Sequence, residues 1–541
     1  MNLQFAALTL TLAVANAHAT TDAELRKIVD QRLHGDRTGA CMAVAVIEKD
    51  AVARTFACAD DKDQARIDAS SAFEIGSVSK TMTAALLAEL IGQGKATLDD
   101  PLTDYLPAGT KVPEFEGRKI LLRHVVTHTS GLPPLPSRLG ATGMDDPYVN
   151  LTEDALLASL GDATLSVAPG TKFEYSNFAS MVLSYAVARR AGEDYETLIR
   201  QRLFLPLKME GAYIKKMPAG IHAAQGHSPT GKAVPAWNFT TNLAGVGGVR
   251  ATLDDMVNYV RGELGQPAAS ITPALKLSQQ QVSKTPPMAM NWMLLPVAGR
   301  TVHVHEGGTG GFSSFVAFDN ERQRGVVILS DTTWNSLGSL GTLGLHLIDS
   351  SFPLGKPRKE VKASDELLDG LAGHYQVGAV KMKVSRKGDA LVVQAEGQGA
   401  YTMAHDDAGD FYPLDFDALL RPGRTSKGYG FSWMQGGAVI AAQRLDAAPQ
   451  GPKSTLTPEQ LREYVGEYPL VSGFGLTVSE KDGTLFIQGT GQQPIEVSAT
   501  GKDSFMADVV AAEIRFERDA TGKVIALTLL QGGQKLRGER K

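Results

Sequence analysis

The sequence predicts an α/β domain on an antiparallel sheet flanked by helices, followed by two small antiparallel β-barrel-like domains, and three observations carry this. From Asp22 to about Ser351, helical patterns alternate with strands and Gly/Pro loops. From about Leu367 onward short strands dominate and long helical periodicity disappears. Within that second stretch the sequence repeats itself at an offset near 94 residues. A chain of 541 residues also exceeds the roughly 250–300 at which single cores stop growing, so two or three domains are expected.

Composition excludes several classes. Apolar residues are 43% and charged ones 21%, the balance of a soluble globular protein. A formal charge of −5 leaves no basic footprint for a phosphate backbone, so nucleic acid is not an expected partner. The apolar run Phe5 to Ala15 leads into Ala17-His18-Ala19, a small-residue cleavage pattern, and residues 1–19 read as a secretory signal despite having no Lys or Arg. An N-terminal helix or anchor is the alternative, but the run falls short of the about 20 apolar residues a bilayer core requires. No later segment reads as a transmembrane helix, so a periplasmic or secreted protein is expected once the signal is removed.

The cysteines bear on the compartment. Cys41 and Cys58 flank two alternating strands, Met42 to Ile47 and Ala51 to Ala57. With Lys49-Asp50 as a two-residue loop, facing residues have numbers that sum to 99, and Cys41 lies opposite Cys58. A cross-strand disulfide is predicted, which persists in an oxidising compartment; two buried free thiols are the alternative.

The catalytic domain is expected over 20–352, a Pro/Gly-rich linker over 353–363, and the repeats over 364–447 and 455–541. Leu371-Ala-Gly-His-Tyr375 returns as Tyr464-Val-Gly-Glu-Tyr468, Leu391 to Gln398 returns as Leu485 to Gln492, and Gln443-Arg444 is answered by Glu539-Arg540. Neither repeat carries a recognisable nucleophile and base.

Chemistry concentrates in the first domain. Ser77-Val78-Ser79-Lys80 opens a helix through Met82 to Ile91, closed by Gly92 and Gly94. Free N–H groups at a helix start stabilise negative charge, and the i, i+3 spacing puts Lys80 on the face of Ser77. A partly desolvated lysine loses its proton more readily and can accept one from a hydroxyl. Alone the pattern is common. Two companions follow: Tyr175-Ser176-Asn177 at a second loop-to-helix junction, and a strand Val302-His303-Val304-His305 running into Glu306-Gly307-Gly308.

The order Ser-x-x-Lys, Tyr-Ser-Asn, His-x-Gly resembles the serine β-lactamase and penicillin-binding-protein superfamily, in its class C β-lactamase-like branch of DD-peptidases, D-aminopeptidases and esterases, over roughly residues 25–350. The tandem tail is similar to the lipocalin-like C-terminal domains of some hydrolases of that branch. The resemblance implies a β-lactamase-like sheet with a helical subdomain inserted, and the cleft between them. It implies that Ser77 attacks a carbonyl while Lys80 and Tyr175 share the proton and return it to the leaving group. Asn177 would hydrogen-bond Lys80 and the substrate amide, and His305, on an edge strand, would line the cleft and hold the substrate's polar end. The N–H groups of Ser77 and Gly308 would form the oxyanion hole, with Gly307 and Gly308 leaving room for the substrate.

His305 departs from the Lys-Thr-Gly usual in penicillin-recognising enzymes, and a neutral imidazole cannot hold a carboxylate as a permanent cation does. The expected function is acyl transfer through an acyl-Ser77 enzyme on a D-amino-acid peptide, β-lactam or related amide, peptidoglycan fragments included, with no cofactor and no metal. An esterase on small acyl esters is the alternative, as is a non-catalytic cell-wall-binding homologue. His303 and His305 lack a third metal ligand. His128 is expected to hydrogen-bond within its loop, and Trp237-Asn238-Phe239 reads equally as pocket wall or core. The tail could cap the cleft.

Overall fold

The structure is a computed structural model that describes residues 19–541 apart from 37, 50, 141–145, 229, 334–339, 379, 396–399, 414–417, 426–427, 436–437, 446–455, 472–473, 482, 491–493, 508–511 and 532–533. The expected signal segment lies outside the described residues except for Ala19, as do the break at 447–454 and the Gly-Gln pairs of the repeat, 397–398 and 491–492.

The first part is built on an eight-stranded antiparallel sheet in the order Ala51–Cys58, Cys41–Glu48, Arg324–Ser330, Ser313–Asp319, Arg300–Gly308, Met293–Val297, Pro287–Met288, Ser283–Lys284. The alternation that predicts the N-terminal hairpin sets its two faces. Cys41, Ala43, Ala45 and Ile47 join the core shared with the helical layer, while Met42, Val44 and Val46 join a second core beneath the helices Asp22–Leu33 and Leu340–Ile348. Pairing runs from Cys41 opposite Cys58 to Glu48 opposite Ala51, and the two cysteine sulfurs are bonded.

The sheet extends further than expected. Strands were expected from the hairpin and from residues after 302, yet three short strands between 283 and 297 add a further edge. The cause is a tight turn: Val297 pairs with Arg300 across Ala298-Gly299, both with positive φ (49° and 79°), which matches the twist of a hairpin. The strand of His305 is therefore interior up to Val304, which faces Met293, and lacks an outer strand only from His305 to Gly308.

Between the strands Ser71–Glu74 and Ser283–Lys284 runs the helical layer, including Ser79–Gly92, Glu153–Asp162, Asn177–Ala191 and Leu253–Leu264. Local signals explain the ends. Thr152, Ser176 and Thr252 each accept an N–H of the first turn, and Gly192 and Gly265 close two helices at φ 80°.

The linker, 353–363, holds no helix or strand beyond a bridge from Glu360 to Asp406. Each repeat forms its own antiparallel sheet, of nine and eight strands. The repeat is physical as well as sequential. Tyr375 Oη donates to Leu371 O (2.9 Å) and Tyr468 Oη to Tyr464 O (2.8 Å). Arg444 and Arg540 each reach back to carbonyls before the first strand of their own repeat, Gly370 O at 2.8 Å and Glu463 O at 3.0 Å. Lys541 N donates to Glu467 O (2.9 Å), which brings the last strand of the second sheet against its first and nearly closes it. Val471 of this repeat packs on the core under Asp22–Leu33, the face of the catalytic sheet away from the helical layer.

The Cys41–Cys58 bond closes a loop with a sequence separation of 17, worth about 3 kcal/mol of stability by chain entropy. Chemical denaturation of Cys41→Ala/Cys58→Ala is expected to show a loss of that size, and an unchanged midpoint would remove the disulfide from the fold's stability.

Candidate active site

Ser77 sits in a single tight turn, Gly76–Val78, between the strand Ser71–Glu74 and the helix Ser79–Gly92. That helix is buried on nearly every side, so its polar side chains need internal partners. Thr81 Oγ1 donates to Val78 O (2.8 Å) and meets Tyr259 Oη (2.8 Å). Thr83 Oγ1 lies 2.6 Å from Tyr195 Oη and 2.9 Å from Gly245 O, and Asn291 Nδ2 donates to Lys80 O (3.0 Å). The helix is thereby held in one position.

Lys80 is 1% exposed, and its Nζ donates to Ser77 Oγ at 2.7 Å and to Val246 O at 2.8 Å. Burial depresses its pKa well below the ordinary lysine value, with no carboxylate to offset the effect. Tyr175 lies on the same side: Lys80 Nζ is 5.1 Å from its ring centre and its hydroxyl neighbours Ser77. Burial pushes the phenol above the usual tyrosine range, and the Ser77 contact offsets this only in part. The structure therefore pairs a readily deprotonated amine with a firmly protonated phenol at one hydroxyl.

His128, at φ 54° and fully buried, holds Tyr175 in place. Its ring stacks on the tyrosine at 4.2 Å, its Nδ1 accepts from Ser176 N (3.2 Å) and its carbonyl from Glu174 N (2.7 Å). Its side chain and carbonyl bond to the tyrosine loop, while its N–H donates to Val125 O (3.2 Å) within its own segment. Burial, then Lys80 and His305, keep this imidazole neutral. Asn177 donates to Tyr148 Oη (3.4 Å) and shares the cleft wall with Ser77, Tyr148, Trp237, Phe239, Val246, Gly247, Gly308 and Thr309. Trp237 and Phe239 are thus wall: Tyr148 stacks on Phe239 at 4.9 Å and meets Trp237 edge-on at 5.3 Å. Sequence reasoning missed Tyr148 and Thr309.

Two expectations need correction. Gly307 was expected to clear space for substrate. A Cβ there would instead lie 2.1 Å from Ile75 O, and one on Gly76 would lie 2.6 Å from Gly308 N, so the space admits the turn that carries Ser77. His305 was expected to line the cleft. It is 5% exposed, its Nδ1 donates to Glu306 O (2.7 Å), and burial followed by Lys80 lowers its pKa to about 3. It is a neutral packing partner beside Lys80. Among the described residues no group of three or more His, Cys, Asp or Glu side chains could hold a metal ion, and no helix is long and apolar enough to cross a membrane.

A serine hydroxyl held by a buried lysine, with a phenol beside both, is the kind of arrangement that serine hydrolases use to activate a nucleophile. The chain belongs to the Beta-lactamase family, whose model matches residues 25–337, more than half of its length. A domain of unknown function, DUF3471, matches residues 450–540, the second tail repeat. The chain is 28% identical over 310 residues to the D-alanyl-D-alanine-carboxypeptidase/endopeptidase AmpH of Escherichia coli K12, covering 53% of this chain and 78% of that protein. It is 28% identical over 347 residues to the beta-lactamase of the same strain, covering 55% and 88%. In fold it is similar to a class C beta-lactamase (TM-score 0.51, 22% identity, 62% of this chain and 98% of the other). It is also similar to an octameric penicillin-binding protein homologue from Pyrococcus abyssi (TM-score 0.50, 17% identity, 86% and 97%).

Gly307→Ala drives a methyl into the Ile75 carbonyl and is expected to cost about 1–3 kcal/mol or to displace the turn that carries Ser77. Thermal unfolding together with active-site labelling checks this; a variant that is both fully stable and fully labelled would show that the approach is not rigid.

Proposed function

We propose that this protein hydrolyses amides of the D-amino-acid peptide or β-lactam class through an acyl-Ser77 enzyme. The observation that carries the reading is the 2.7 Å contact from Lys80 Nζ to Ser77 Oγ in a pocket that favours the neutral amine. Lys80 takes the Ser77 proton as Oγ bonds to the carbonyl carbon. The tetrahedral oxyanion lies toward the backbone N–H groups of Ser77 and Gly308, where losing one such donor typically costs about 10²–10³ in rate. The Tyr175 phenol gives its proton to the leaving nitrogen as the C–N bond breaks, and the Lys80 ammonium reprotonates it. Water then attacks the ester by the same route reversed. Asn177 orients the substrate amide, and no cofactor takes part. Peptidoglycan fragments are natural substrates for such chemistry.

Esters of small acyl groups are the second reading, favoured by His305: a buried neutral imidazole offers no cation for a substrate carboxylate. The disulfide and the signal-like first 19 residues support a periplasmic or secreted location.

Fluorescent penicillin is expected to label the wild type covalently and to leave Ser77→Ala unlabelled; labelling that survives the change would sink the assignment. The directions of the pKa shifts set the pH profile. Protonating Lys80 removes the base, so kcat/KM falls as pH drops through a pKa well below the ordinary lysine value. Losing the Tyr175 proton removes the acid only above the usual tyrosine range. A broad plateau through neutral and mildly alkaline pH is expected, and an acid limb at the ordinary lysine value would contradict it.

A further inference from the structure

Two charged side chains lie behind the cleft and take no part in the steps above. Glu74 ends the strand Ser71–Glu74, three residues before Ser77, and is 4% exposed. It faces Arg250 across an antiparallel pairing of short strands, and Arg250 Nη2 donates to its Oε1 at 3.1 Å. Neither is among the residues that line the cleft, yet each bonds to one that is. The Thr309 hydroxyl is the other side-chain partner of the Glu74 carboxylate. Arg250 Nη2 also donates to Trp237 O (2.7 Å), and its Nη1 donates to Ile214 O (2.7 Å).

A buried ion pair adds little stability over apolar side chains of the same size, because desolvation offsets the attraction. What this pair supplies is direction. The guanidinium is a planar fork that fixes its acceptors at set angles, so Glu74, Trp237 and Ile214 are held in one arrangement. Through Glu74 that arrangement reaches Thr309, the residue after Gly308. Gly308 is therefore held on both sides, by the approach of Gly307 to Ile75 before it and by the bond of Thr309 to Glu74 after it. Because peptide units are planar, the Gly308 N–H turns only if one of these two holds yields.

We propose that the Glu74–Arg250 pair positions the cleft for acyl transfer, Glu74 by fixing the Gly308 N–H through Thr309 and Arg250 by fixing the wall at Trp237; this rests on the acyl-enzyme reading above. Both are positioning residues, since neither reaches the reacting atoms. The two arms act on different steps. The direction of the N–H matters only as the oxyanion forms, so Glu74 acts on the acylation rate constant. The wall is met by the substrate on entry, so Arg250 acts on the binding that precedes acylation.

The test is rapid-quench acylation of the full chain by benzylpenicillin, which separates the dissociation constant of the first complex from the acylation rate constant. Thr309→Val keeps the shape and removes the hydroxyl; it is expected to lower the rate constant about tenfold, short of the roughly 10²–10³ of a lost donor, with the dissociation constant unchanged. Thr309→Ser is expected to restore the rate. Arg250→Lys keeps the charge but not the fork and is expected to raise the dissociation constant severalfold. Removing one partner alone leaves the other buried and unpaired and can unfold the protein, so both are also removed together. Glu74→Met/Arg250→Met is expected to keep a thermal midpoint close to the wild type's and yet to acylate slowly. A double variant as fast as the wild type overturns the proposal, and one whose midpoint falls along with its rate makes the pair structural and overturns it too. So does Thr309→Val with an unchanged rate constant, or with a change confined to the dissociation constant; all of these leave the acyl-enzyme in place. A wild type that benzylpenicillin does not acylate overturns the acyl-enzyme reading and this inference with it.

Discussion

The site depends on one backbone contact, the approach of the strand Arg300–Gly308 to the turn at Ile75-Gly76. Gly76 at φ 50° and Gly307 leave no room for a side chain between them, and Ser314 Oγ donates to Ile75 O at 2.7 Å from the neighbouring strand. This ties the turn that carries Ser77 to the sheet, so the N–H groups of Ser77 and Gly308 keep a common geometry. In the reading proposed above, donors preorganised in this way need no rearrangement as charge develops on the substrate.

From that contact the helical layer follows. A helix entering from the turn passes through the core, and its polar residues could remain only because the surrounding elements supply partners: Tyr195, Tyr259, Asn291 and the carbonyl of Gly245. Gly245 admits the helix because a Cβ there would sit 2.4 Å from Thr83 Oγ1. The same burial that demands these partners depresses the Lys80 pKa. Packing and acid–base chemistry thus share one cause.

Much of this was legible in the residues. Alternation and loop length gave the hairpin register down to Cys41 opposite Cys58, because the two-residue loop sets which residues face each other and a one-residue slip would exchange the two faces. The β-lactamase-like sheet was legible from ordered motifs, and the repeat from matched residues that make matched bonds: Tyr375 and Tyr468 each donate to a carbonyl four residues back, and Arg444 and Arg540 each reach carbonyls before the first strand. What was not legible depends on direction and distance. Glycine in a strand marks a close approach without saying to what, so Gly307 was assigned to substrate rather than to Ile75. His305 lies near a motif position but turns into the core, and the stacking of His128 on Tyr175 joins loops 47 positions apart in sequence. The strands between 283 and 297 are too short for periodicity to reveal.

The placement of charge around the cleft bears on the protonation of Lys80. A carboxylate beside it would hold it protonated and idle. The buried carboxylate of Glu74 is instead matched by Arg250, and burial of Lys80 acts unopposed. His305 and His128, the titratable neighbours that do act on the lysine side, are held neutral by their own burial and so bring no fixed charge. A lysine in the place of His305 would put a second cation against Lys80 and would itself require an anionic substrate to be tolerated in a buried site. The imidazole removes that requirement.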